Sequence, residues 1–150
     1  MRSGSPEPVP LARAVSLQLP LFSSYVRAGF PNPADDHNEP DLDLNMLLVR
    51  NPTATFLLRV AGESMIEAGI YPDDVVIVDR SLTVQQRDIV VAEVEGEFLI
   101  KRFLREDGAV ILASENPIFK PLIFSGEQSL SIFGVVTFTL HRHRGRRWKR

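Results

Sequence analysis

The stretch Asp88–Leu104, DIVVAEVEGEFLIKRFL, decides how this chain is read. Two apolar runs flank Glu95-Gly96, a two-residue tight-hairpin signal in which glycine supplies a backbone conformation most residues resist. The runs predict strands over Asp88–Glu95 and Glu97–Leu104, paired antiparallel. Period-two alternation in the second puts Leu99, Lys101 and Phe103 on one face. Outward from this hairpin the texture repeats. Further strands are expected over Phe56–Val60, Asp74–Asp79, Ala109–Ala113 and Ser129–Leu140. Turn signals separate them at Tyr71-Pro72-Asp73-Asp74, Asp107-Gly108, Asn116-Pro117 and Ser125-Gly126. The strands lie too close together for crossover helices, so the sheet is expected to be antiparallel. Only Met46–Val49 and Ser64–Ala68 read as helical turns. The fold class is therefore mainly β: a compact antiparallel β domain over residues 46–140, with an extended N-terminal arm.

Residues 1–45 differ in composition. They hold seven of the 11 prolines, which remove backbone donors and block helices. Leu17–Val26 is an apolar island within them, and Phe30–Asp43, FPNPADDHNEPDLD, reads as an acidic linker. At the other end, residues 141–150, HRHRGRRWKR, carry six of the 17 Lys+Arg. The first 140 residues thus have a net charge of −8, although the whole chain is at −2. An acidic body with a basic tail offers a DNA or acidic-partner contact in the tail, or simply a solvated terminus, which is the commoner case.

Composition excludes several function classes. At 150 residues the chain is one domain's worth. It has no cysteine, so disulfides, thiolate catalysis and thiolate metal sites are out, and a reducing compartment fits. No apolar run reaches the ~18 residues of a membrane span. Ala14–Phe22 is broken by Ser16, Gln18 and Pro20 and makes a poor signal peptide. There is no phosphate-binding glycine loop and no dinucleotide fingerprint.

The three histidines, His37, His141 and His143, fall in the linker and the tail. A Ser-His-Asp hydrolase would lack a base in the core. His141 and His143 alone lack a third metal ligand and read as solvated. Gly62-Glu63-Ser64-Met65 follows a predicted strand and can present a serine hydroxyl at the sheet's end, beside backbone amides suited to an oxyanion. Read alone, Ser64 with Glu67 has the spacing of a helix-capping box, the more common meaning. Lys101 stands between two large apolar residues. It either snorkels to water, the usual outcome, or is buried and loses its charge. A buried neutral lysine can take a proton from a serine without histidine.

Together, these features resemble the LexA/UmuD family, the self-cleaving serine peptidases of the bacterial DNA-damage response. The resemblance rests on Ala61-Gly62-Glu63-Ser64-Met65-Ile66, Gly69-Ile70, Asp74-Val75-Val76-Ile77-Val78-Asp79, Gly96-Glu97-Phe98-Leu99-Ile100-Lys101-Arg102 and Phe133-Gly134-Val135-Val136. It runs from about Phe30 to Leu140. Phe30-Pro31-Asn32-Pro33 and Asp43–Leu48 favour the UmuD-like branch, as does the lack of a preceding DNA-reading helix pair. The resemblance implies a LexA/signal-peptidase-like β fold, with Ser64 as nucleophile, Lys101 as general base and Ala28-Gly29 as the bond cut in the chain's own arm. It implies removal of residues 1–28, with 29–45 as linker. No cofactor and no metal are implied. The implied partners are a second copy in a homodimer, a recombinase filament on single-stranded DNA that stimulates cleavage, and the catalytic subunit of an error-prone translesion DNA polymerase. The implied location is the cytoplasm.

One departure is the Ala-Gly bond, where some relatives have Cys-Gly. The basic tail is another. A different class also stays open: a non-catalytic interaction subunit that binds polymerase and filament uncut. A signal-peptidase-like enzyme would need a membrane anchor. A repressor would need a helix pair that Pro6, Pro8, Pro10 and Pro20 prevent.

Overall fold

A computed structural model describes residues 18–22, 26, 28–29, 38–126 and 130–145. The chain divides into two units, Ala12–Arg50 and a larger one that includes Asn51–Arg150.

In the smaller unit, β1 (Gln18–Phe22) pairs antiparallel with β2 (Asn38–Asp43). The strand β2 occupies the end of the stretch Phe30–Asp43 that reads as an acidic linker, and residues 30–37 lie outside the described residues. A five-residue helix, α1 (Leu44–Leu48), follows directly, and the Asp43 carboxylate accepts the Asn45 amide hydrogen as its N-cap.

The larger unit is one antiparallel sheet. Its strands are β3 (Thr55–Arg59), β4 (Val75–Asp79), β5 (Ile89–Val94), β6 (Glu97–Glu106), β7 (Ala109–Ala113), β8 (Leu122–Phe124) and β9 (Leu130–Leu140). Their order is β3-β4-β9-β5-β6-β7-β8. Each strand expected from the sequence is present within two residues at its ends, except that Ser129 lies outside the described residues. The strand β8 was not expected: it is only three residues long and follows Pro121.

The Asp88–Leu104 hairpin forms as expected. Glu95 and Gly96 have φ of 51° and 81°, the paired positive values of a turn whose twist matches its strands. Asp107 and Gly108 repeat this at 49° and 78°. These turns fix the register, so Val90 faces Lys101 across β5–β6 and Arg102 faces Ala113 across β6–β7.

Alternation along β5 splits the core in two. Val91 joins Val60, Met65, Ile70, Val76 and Val78 in one cluster. Val90 and Ala92 join Phe103, Leu112 and Val135 in the other. A strand buried on both faces reads as a continuous apolar run, and Ile89–Ala92 does. In β9 the register slips at Phe133 and at Thr137. Phe133 packs edge-on against Phe56 and Phe98 at 5.4 and 5.0 Å, with the Arg80 guanidinium 4.5 Å from its ring centre.

Candidate active site

Ser64 sits on the connection between β3 and β4. Gly62 just before it has φ of +82°, a left-handed conformation that a side chain strains. The chain then makes a single 3₁₀ turn, Ile66–Ala68, closed by Gly69 at φ 78°. The capping reading of Ser64 fails here. Met65 is the cap residue, with no side-chain capping bond. Met65 and Ile70 are each 2% exposed and pin this loop into the core.

Lys101 lies in β6, opposite Val90. It does not snorkel: it is 9% exposed. Burial lowers its pKa from the ordinary 10.5, because removal from water penalises the ammonium form. Ser64 and Lys101 line the same pocket, about 190 Å³ in volume, with Val60, Met65, Val91 and Ile100. The pocket is also lined by residues 98–100, a part of β6 that among the described residues pairs with β5 alone, because β7 stops at Ala113. No hydrogen bond joins Ser64 to Lys101 among the described residues. The Lys101 Nζ donates instead to Ser114 Oγ at 2.8 Å, and it stands 5.7 Å from the Phe119 ring centre.

In the sequence only Asn116-Pro117 stands out here, as a turn signal, and Ser114 and Glu115 carry no mark. The segment Ser114-Glu115-Asn116 in fact ties the site together. Ser114 takes the Lys101 bond. Glu115 pairs with Arg102 at 2.8 Å, and its carbonyl accepts the Glu67 amide hydrogen at 2.9 Å. The buried Asn116 side chain donates to the Glu63 carbonyl at 2.9 Å. The serine loop and the lysine strand are therefore both held by three consecutive residues. The signal was present in the sequence: a two-residue turn at Asp107-Gly108 puts residue 114 opposite residue 101.

Ala28 and Gly29 are exposed, in a bend of the Ala12–Arg50 unit. A methyl group added at Gly29 meets no atom within 4 Å. The tail departs from expectation at His141. Its ring pairs through Nδ1 with the buried Asp74 carboxylate and packs against Tyr71 and His143, so it is anchored rather than simply solvated. Residues 146–150 of the tail lie outside the described residues. Among the described residues no cluster of three metal-ligating side chains forms, and no helix is long and apolar enough to cross a membrane.

Comparison with known proteins gives a consistent answer. The chain matches the Peptidase S24-like family over residues 20–137. It is 46% identical over 126 residues to Protein ImpA of Escherichia coli, covering 83% of this chain and 85% of ImpA. Identity to Protein SamA of Salmonella typhimurium is 42% over 135 residues, covering 90% of this chain and 94% of SamA. LexA repressor 1 of Geobacter sulfurreducens is 42% identical over 122 residues, covering 81% of this chain and 59% of the repressor. The family match spans the serine loop, the lysine strand and most of the sheet, and the protein belongs to the Peptidase S24-like family as a UmuD-like member of its LexA/UmuD group.

Proposed function

We propose that this chain is a self-cleaving serine peptidase of the bacterial SOS response that cuts its own Ala28-Gly29 bond with a Ser64–Lys101 dyad. The observation that carries the reading is the shared pocket, lined both by Lys101, buried with its pKa lowered, and by Ser64 on the β3–β4 connection. Neutral Lys101 takes the Ser64 Oγ proton as the oxygen attacks the Ala28 carbonyl carbon. Backbone amides around Ser64 hold the oxyanion. The lysine ammonium returns the proton to the departing Gly29 nitrogen. Water then releases Ala28 from its ester with Ser64. Among the described residues, residues 97–100 of β6 pair with β5 alone, an edge that suits pairing with an extended arm.

The shortened form, residues 29–150, then acts as a homodimer and as accessory subunit of an error-prone translesion polymerase in the cytoplasm. A recombinase filament on single-stranded DNA raises the rate by favouring the pose in which the arm enters the pocket. The test is incubation of the purified chain with that filament and ATP, followed by sequencing of the new N-terminus. Gly29 is expected at that end, and Ser64→Ala and Lys101→Ala are expected to stay intact.

One observation favours the second reading, an interaction subunit that works uncut: the Lys101 amine bonds to Ser114 and not to Ser64. Mass spectrometry of cells before and after DNA damage separates the two. A species lacking residues 1–28 supports the peptidase only.

A further inference from the structure

We propose that Ser114 is a positioning residue for the dyad: its Oγ, fixed directly across the β6–β7 pair, takes one N–H of Lys101 Nζ and thereby orients the amine within the pocket that Ser64 also lines. This rests on the peptidase reading above. The Lys101 side chain is a flexible four-carbon stem, and a base that rotates freely spends little time with its lone pair towards one hydroxyl. The 2.8 Å bond to Ser114 removes that freedom.

Ser114 is itself well placed to do this. The register that pairs Arg102 with Ala113 puts it opposite Lys101, so the two side chains leave the sheet on the same face. Its neighbours are fixed too, Glu115 through Arg102 and Asn116 through the Glu63 carbonyl, so the acceptor stands on a braced segment that also holds the serine loop. A neutral hydroxyl is a suitable acceptor for this purpose. A carboxylate at that distance would hold the lysine in its charged form, useless as a base, whereas a neutral hydroxyl orients the amine and favours the ammonium far less. Arg59 is the one other charged side chain among the residues lining the pocket.

The experiment follows self-cleavage of the purified full-length chain without filament, from neutral pH to about pH 11, by mass spectrometry. Wild type, Ser114→Ala, Ser114→Thr, Ser64→Ala and Lys101→Ala are compared. Ser114→Ala is expected to lower the alkaline plateau by about 10-fold or more, the scale of a misplaced catalytic group. Its pH midpoint is expected to fall, because the ammonium loses an acceptor. Ser114→Thr, which keeps the hydroxyl, is expected to restore both rate and midpoint. An unchanged or faster Ser114→Ala overturns the proposal, the faster case because the bond would then withhold the amine. A slower Ser114→Ala with the wild-type midpoint overturns it as well, since that is a structural defect alone. Cleavage that persists in Ser64→Ala or Lys101→Ala, or an inert wild type, is a separate failure and strikes the dyad itself.

Discussion

In the proposed dyad, Lys101 concentrates the chemistry in one amine. Its pKa lies below the ordinary 10.5 because β6 and its surroundings take the group out of water. Between the lowered value and 10.5 the unfolded chain binds more protons than the folded one, so stability rises with pH across that window. Below the window the folded state carries the whole desolvation cost. Lys101→Met is therefore expected to raise the unfolding temperature at neutral pH, with the gain shrinking towards about pH 10. A gain of the same size at both pH values would contradict this. Lys101→Arg retains charge at every accessible pH and cannot accept the serine proton. Self-cleavage is expected to drop by about 100-fold or more, measured as the loss of full-length chain on a gel. At this scale much was legible. Alternation marked Lys101 as an oddity, and Gly62–Met65 marked Ser64. Neither feature alone separated a dyad from a snorkelling lysine and a helix cap, since burial is set by strands distant in sequence. Ser114 was missed because its meaning depends on the partner across the sheet.

Among the elements, hairpins with two-residue turns were readable because their chemistry is local. Glu95-Gly96 and Asp107-Gly108 each need positive φ and contain the glycine that allows it. The strand β2 was hidden by its acidic, proline-bearing sequence, NEPDLD, which looks like a linker until β1 pairs with it. Nothing in local propensity announces that pairing. The strand β8 was hidden by its shortness. The close approach of β9 to β4 was equally silent in the sequence. At Gly134 an added methyl would lie 2.7 Å from Val78 Cγ1 and 3.0 Å from the Asp79 carbonyl oxygen. Gly134→Ala is expected to cost about 1–3 kcal/mol and to lower the unfolding midpoint in a calorimetric scan. An unshifted midpoint would mean that β9 can move away without cost.

For the molecule as a whole, the two core clusters with their packed neighbours lie between Leu58 and Val136, all within the Asn51–Arg150 unit. A chain beginning at Gly29 is therefore expected to keep its sheet and unfold cooperatively, as read by circular dichroism on heating. A featureless melt would show that the arm belongs to the core. The proposed division of the chain into a processed arm and a sheet-bearing peptidase unit leads to the most direct test of the dyad. Purified full-length protein, with no filament present, is held at a series of pH values up to about pH 11, and the products are identified by N-terminal sequencing. The account predicts one new terminus at Gly29, forming faster as pH rises and levelling off once Lys101 is neutral. A rate that ignores pH, or a terminus elsewhere, would contradict it.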